Sequence, residues 1–383
     1  MSDNDINDKE GMKAAAGSRD QLIIKTSIIG ILANVFLASF KAAVGVLSNS
    51  IAVILDAVNN LSDALSSVIT IIGTKLAGKA PDKKHPLGYG RIEYLSAMIV
   101  AALVLYAGIT SLVESVKKII HPEKPDYMLP SLIIIASAVV VKLILGWYVK
   151  KQGEKVNSGA LIASGEDARF DAVLSASVLA SAIIYLVSGV SLEAYVGVLI
   201  SFVIIKAGID MMKDTVNDIL GQRADVDVSR KIKRVITSEL EIRGAYDLLL
   251  HNYGPDKNYG SVHIELPDTM TVDQVDELTR KVEQKVFRET GVILTGVGVY
   301  SYNTKNDEIS AIRNKVQKTV LAHDYVLQMH GFYLDMDNQT MRFDVVLSFD
   351  VSPKEAMETL CKEVQEAYPG YDVQITPDRD ISD

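Results

Sequence analysis

Two stretches decide the architecture: Leu95–Val113, LSAMIVAALVLYAGITSLV, and Ser131–Val149, SLIIIASAVVVKLILGWYV. Both are apolar on every side, whereas a helix at the surface of a water-soluble protein keeps one polar face. Each is close to the ~20 residues that a helix needs to cross a bilayer. Working outward from these two, spans are predicted near 22–45, 50–76, 93–119, 128–149, 159–187 and 191–212. A large buried helical bundle in water is the weaker reading, because the runs leave no face for solvent.

The chain has 383 residues and a net charge of −9, and its 23% of charged residues is unevenly placed. Residues 1–20 are polar and read as a mobile N-terminal tail; residues 21–215 form the membrane domain; beyond Gly221 the composition is that of an ordinary soluble protein. The acidic balance excludes a nucleic-acid binder, which would carry a basic footprint. A single cysteine, Cys361, excludes a disulfide framework and a cysteine-rich zinc site. No P-loop, HExxH motif or nucleophile–base set is present, so the chain does not read as an enzyme. Lys and Arg crowd the N-terminal segment and the second and fourth loops (Lys75, Lys79, Lys83, Lys84 and Arg91; Lys150, Lys151 and Lys155), which places both termini and the soluble part in the cytoplasm.

Ionisable groups inside spans are costly and mark functional sites by default. In the second span Asp56, Asn60 and Asp63 lie four and three residues apart, on one helical face. In the fifth span Asp167 and Asp171 repeat the spacing of four. Facing one another, Asp56, Asn60, Asp167 and Asp171 offer four oxygen-bearing side chains to one ion. Asp63 and Arg169 are equally readable as an ion pair; Glu166 reads as a solvated group at the cytoplasmic entrance. Neither polar span offers Asp56 or Asp171 a basic partner on the matching face. Lys41 reads as a lysine that snorkels to the outer surface.

With these residues in view, the sequence resembles the cation diffusion facilitator family. GVLSNSIAVILDAVNNLSD at 45–63, HPLGYGRIE at 85–93 and DARFD at 167–171 match its motifs, over about residues 15–300. The resemblance implies a homodimeric, proton-coupled exporter of a divalent cation in the cell membrane. It also implies that Asp56, Asn60, Asp167 and Asp171 are the metal ligands, with no further cofactor. Asp63, Glu166, Asp82, His85 and His263 are accessory candidates. Family members lock two protomers at the cytoplasmic end by a salt bridge, for which Arg91 is the basic member here; the expected acidic position falls near Gly221, leaving Asp214 or Asp218 as substitutes. A loop site built from Asp and two His in some members has Asp82 and His85 here, but Tyr89 stands at the third position. Tyr246 and Tyr300 stand where a soluble zinc cluster would place His.

Carboxylate and amide oxygens suit Mg, Ca and Mn, whereas zinc favours Cys and His. Magnesium dehydrates reluctantly and prefers near-ideal octahedral geometry. The resemblance favours manganese over magnesium, so Mn²⁺ is the expected cargo; Zn²⁺, Fe²⁺, Co²⁺, Cd²⁺ and Mg²⁺ are the alternatives, and a membrane metal sensor is the alternative from another class. With no His in the quartet, its carboxylates carry the coupling protons.

The soluble part reads as α-β-β-α-β over 222–305, a ferredoxin-like, metallochaperone-like α+β domain with its first helix over 226–243. The plan then recurs over 309–383, and LLLHNYG and LQMHGFY align His251 with His330. Self-similar tandem units imply duplication and stacking. Both histidines read first as strand positions, and second as metal ligands. The fold class is thus an α-helical membrane protein with six transmembrane helices followed by cytoplasmic α+β domains.

Overall fold

A computed structural model describes residues 3–47, 51–121, 129–188, 192–223, 225–255, 257–304 and 307–379. The side chains of 3–16, 44–47, 51–59, 62, 129–131, 178, 182, 186–188, 193 and 307 are outside that description. The apolar part is built from long helices: α1 (Asp3–Leu47), α2 (Ile51–Ala77), α3 (Ile92–Ile120), α4 (Leu129–Lys155), α5 (Gly159–Ser188) and α6 (Glu193–Leu220). Among the described residues, five helical segments are long and apolar enough to cross a membrane: Gly17–Ala43, Ile92–Ile120, Leu132–Lys155, Gly159–Tyr185 and Ala194–Leu220. At most a third of each such segment is buried. Leu32, Phe36, Tyr106, Ile144, Leu199 and Phe202 all point outward. Such a surface is stable against hydrocarbon and costly in water.

The helices pack as α1 against α2, α3 against α6 and α4 against α5, with α2 also touching α5. Small residues let them approach: a Cβ on Gly165 of α5 would sit 2.5 Å from the Lys150 backbone of α4. The N-terminal segment departs from its reading as a tail. Helix α1 already begins at Asp3, and Arg19 forms a forked pair with Glu93 of α3, at 2.9 and 2.8 Å. The same guanidinium donates to the carbonyls of Val156 and Asn157 at 2.7 and 3.2 Å. Glu93 is buried, so Arg19 supplies the partner without which that carboxylate would carry an uncompensated desolvation cost. Lys41, expected to snorkel, is buried instead.

The soluble part holds α7 (Val226–Ile236), β1 (Gly244–Asn252), β2 (Asn258–Pro267), α8 (Val272–Thr290) and β3 (Ile293–Tyr302), then α9 (Asp307–Val320), β4 (Val326–Asp335), β5 (Thr340–Leu347), α10 (Pro353–Ala367) and β6 (Asp372–Arg379). The repeated α-β-β-α-β plan is therefore present twice. Each copy has a three-stranded sheet, ordered β1-β2-β3 and β4-β5-β6. The β2–β3 and β5–β6 pairs are parallel, and β4–β5 is antiparallel. Each copy has its own core, centred on Ile232, Leu248, Ile264 and Val286 in the first and on Phe332, Phe343, Met341 and Leu360 in the second.

Local chemistry sets the boundaries. Asp225 caps α7, and Thr271 with Gln274 forms a capping box at α8. Helix α7 stops at Ile236, short of the predicted 243. Thr237 and Ser238 turn their hydroxyls back onto the carbonyls of Lys233 and Val235, which favours a turn over continued helix.

Candidate metal transport site

Two helices bring the intramembrane acids together. Asp63 of α2 and Asp167 of α5 line one narrow cavity with Asn34 of α1, Ser67 of α2 and Ser164 of α5. Its free volume is ≈ 10 Å³, room for about one water or a bare ion. Four residues beyond Asp167, Asp171 is held by the ammonium of Lys142 in α4, which also bonds Asp63. Asn60 is buried one turn before Asp63, and its amide nitrogen has no hydrogen-bond partner. Asn34 is buried too, with its side-chain oxygen unpartnered. Asp56 belongs to α2, but its side chain lies outside the described residues.

Three of these placements correct the sequence reading. Asp63 pairs with Lys142 rather than Arg169, and Arg169 instead donates to Glu166 at 3.1 and 3.2 Å. Glu166 also accepts from Lys150, so it is an ion-paired residue rather than a simply solvated one. Asp171, expected to lack a basic partner, has one from a third helix. Lys142 was legible as an intramembrane ionisable residue within SLIIIASAVVVKLILGWYV; its partners were not, because they lie on two other helices. Asn34 carried no signal beyond being polar within a span.

The electrostatics follow from this geometry. Lys142 is buried, with a side-chain exposure of 6%, and it bridges two carboxylates from different helices. Asp63, Asp167 and Asp171 against this one ammonium leave a formal charge of −2 when all are ionised. A divalent cation would neutralise that charge with oxygen donors alone. Lys142 engages one oxygen of Asp171, Oδ2, so an ion bound through that oxygen would have to displace the ammonium.

The other candidates are placed elsewhere. In the loop between α2 and α3, Tyr89 donates its hydroxyl to Asp82 at 2.6 Å, and His85 Nδ1 lies 2.8 Å from the same hydroxyl. Asp82 also accepts from the backbone amides of Lys84 and His85. The Tyr89 hydroxyl and these amides hold its carboxyl well below the usual carboxylate range. Arg91 donates to the carbonyl of Asn252 at 2.9 Å, while Asp214 and Asp218 lie in the last turns of α6. His263 belongs to the soluble part, on β2.

Comparison with known proteins gives this geometry a context. Residues 27–220 match the cation efflux transmembrane domain, and residues 224–295 match the cation efflux protein cytoplasmic domain. An uncharacterized transporter of Methanocaldococcus jannaschii is 26% identical over 262 residues, 68% of this chain and 92% of its own. The manganese efflux system protein MneP of Bacillus subtilis is 24% identical over 282 residues, 72% of this chain and 94% of its own. A cadmium, cobalt and zinc/H(+)-K(+) antiporter of Bacillus velezensis is 24% identical over 274 residues, 71% of this chain and 86% of its own. With more than half of its length matching the transmembrane domain and the cytoplasmic domain following in order, the chain belongs to the cation diffusion facilitator family of divalent-metal efflux transporters.

Proposed function

We propose that this protein exports Mn²⁺ from the cytoplasm in exchange for protons, as a homodimer in the cell membrane with both termini and the α+β part on the cytoplasmic side. The observation that carries the reading is the convergence of Asp63 and Asp167, from α2 and α5, on one cavity inside the apolar bundle, with Asp171 tethered nearby. Asp56, Asn60, Asp167 and Asp171 are the proposed ligands. An all-oxygen donor set favours a hard or borderline-hard dication. The manganese exporter among the relatives supports Mn²⁺; the cadmium, cobalt and zinc relative marks the competing cargoes. The matched cytoplasmic domain supports dimer formation, and the antiporter relative supports proton exchange.

In the proposed cycle the ion enters from the cytoplasm past Glu166 and Asp63. It takes Asp171 from Lys142, and the ammonium stays on Asp63. Rocking of the helices opens the site outward, in an alternating-access movement. Protons arriving from outside neutralise Asp56 and Asp167 and expel the ion, while Lys142 retakes Asp171. The empty carrier crosses back with these carboxylates compensated by protons and by the ammonium, and the protons are then released to the cytoplasm.

A flux assay in proteoliposomes with a lumenal pH dye tests the proposal, comparing Mn, Zn, Fe, Co, Cd and Mg. Mn²⁺ is expected to drive the largest proton counter-flow, and Asp167→Asn and Asp171→Ala are expected to abolish it. Metal transport at the wild-type rate in both variants would remove the assigned site. A larger flux with zinc than with manganese would correct the cargo and leave the site intact.

A further inference from the structure

The two cytoplasmic repeats meet at a polar seam that the transport cycle does not use. Asp247 of β1 is at its centre. His263 Nδ1 of β2 lies 2.9 Å from one carboxylate oxygen, and His330 Nε2 of β4 lies 3.0 Å from the other. Asp344 of β5 stands beside them: one ligand atom from each of Asp247, His330 and Asp344 falls within a 4.8 Å span. Asp378 of β6 lies beside Asp247. The Tyr300 hydroxyl of β3 lies 2.7 Å from both Asp247 and Asp344. Three carboxylates and two imidazoles thus converge, drawn from both repeats.

Hydrogen bonding alone does not account for this arrangement. The His330 side chain is fully buried, yet neither of its ring nitrogens makes a hydrogen bond. His263 Nδ1 is likewise without one. Of these, His263 Nδ1 and His330 Nε2 are close to the Asp247 carboxylate, but their N–H directions do not meet it. Tyr300 has one hydroxyl proton and two carboxylates at equal distance, so one of the two short contacts lacks a hydrogen. Buried groups left in this way carry a desolvation cost that nothing offsets. A cation among them would take the lone pairs of the carboxylates and of one nitrogen of each imidazole, His263 Nδ1 and His330 Nε2, and needs no protons from them. Donors on opposite sides of such an ion stand ~4.0–4.4 Å apart, from metal–ligand distances of roughly 2.0–2.2 Å. The observed span needs to close by only a few tenths of an ångström.

The backbone is shaped for the cluster. A Cβ on Gly298 would sit 2.0 Å from the His263 ring, so the glycine makes room for that imidazole. Gly331 adopts φ +64, and its missing side chain would press on the Tyr300 ring at 2.9 Å. It falls within an irregularity of the β4–β5 pairing between His330 and Tyr333. Such bulges re-aim a neighbouring side chain. Tyr246 stacks flat on His330, with ring centroids 4.7 Å apart and planes 7° from parallel, and so fixes the imidazole's orientation.

We propose that Asp247, His263, His330 and Asp344, with Asp378 adjoining, form a divalent-cation site that ties the first cytoplasmic repeat to the second within one chain. Its mixed nitrogen and oxygen donors suit a first-row transition metal ion rather than Mg²⁺ or Ca²⁺. It is distinct from the transport site in donor type, since the described transport site holds no histidine. Occupancy clamps the seam; an empty site leaves the carboxylates opposed across it.

The test uses full-length protein in detergent, with Mn²⁺ alone as the probe. Bound Mn²⁺ is counted by equilibrium dialysis, and its ligands are read by pulsed electron paramagnetic resonance. The expected result is a ¹⁴N imidazole coupling on one Mn²⁺ per chain, retained in Asp167→Asn/Asp171→Ala. Both the coupling and one equivalent of Mn²⁺ are expected to disappear in His263→Gln/Asp344→Asn. His263→Gln alone, at a half-exposed position, guards against misfolding of the double variant and is expected to weaken that ion's binding at least tenfold. No nitrogen coupling in the wild type would overturn the site. So would full retention of bound Mn²⁺ in the two seam variants, which would leave the cluster a proton-bonded seam only.

Discussion

Replacing Lys142 by methionine isolates the competition between the internal ammonium and the exported ion. Methionine keeps the length and removes the charge, in a span where an apolar side chain is at home. Hydrogen bonds to charged groups contribute roughly 1.5–3 kcal/mol each. Only the bond to Asp171 is lost when the metal takes that residue, because Asp63 retains the ammonium. Asp171 is 35% exposed, so solvent screening places the contribution near the lower end, about 1.5–2 kcal/mol. That corresponds to roughly a 10- to 30-fold tighter Mn²⁺ dissociation constant in Lys142→Met. Export is expected to slow, because a more tightly held ion leaves less readily and the empty carrier has lost its compensating charge. The assay is titration calorimetry with Mn²⁺ on the purified full-length protein, in a His263→Gln/Asp344→Asn background. Asp63→Asn/Lys142→Met serves as a charge-balanced control for misfolding, and the tightening should persist in it. Affinity unchanged within twofold in both variants would refute the competition between Lys142 and the metal for Asp171.

Two further outcomes concern stability. Arg19→Ala leaves Glu93 buried without its guanidinium, and breaking a buried pair from one side costs about 3–5 kcal/mol; the thermal unfolding midpoint in detergent should fall, and Arg19→Met/Glu93→Gln should recover much of the loss. An unchanged midpoint in Arg19→Ala would show that water reaches the pair. In the cytoplasmic part, hydrogen bonds from Lys281 and Lys285 hold the Glu239 carboxyl below its ordinary value of 4.5. A depressed folded-state value means that the stabilisation is complete above about pH 4.5 and is lost as the pH falls through the folded value. Unfolding midpoints of the wild type should therefore drop more steeply as the pH falls below about 4.5 than those of Glu239→Gln. Parallel slopes would remove Glu239 from the acid response.

Much of this architecture was legible because its causes are local. Unbroken apolar runs specify long helices whatever their neighbours, and Asp167 and Asp171 share a face because a helix repeats every 3.6 residues. The duplicated α-β-β-α-β plan was readable from alternating strands and capped helices. What escaped was set by contacts distant in sequence. Lys142 finds Asp63 and Asp171 79 and 29 positions away. Arg19 looked like part of a polar tail, because its partner Glu93 lies 74 positions on. His251 and His330 occupy equivalent motifs, yet the first is exposed and the second buried. Their own strands do not distinguish them; the neighbouring repeat covers only one. Lys142 is the instructive omission, since an ammonium within an apolar run must find carboxylates, and the two polar helices supplied them.

The seam between the repeats brings a kinetic consequence. Its two faces are joined by a linker of only a few residues between Tyr302 and Asp307. Their encounter is therefore a first-order event, governed by a high effective concentration rather than by how much protein the membrane holds. A contact between separate chains would weaken on dilution; this one reports the availability of its ligand at any expression level.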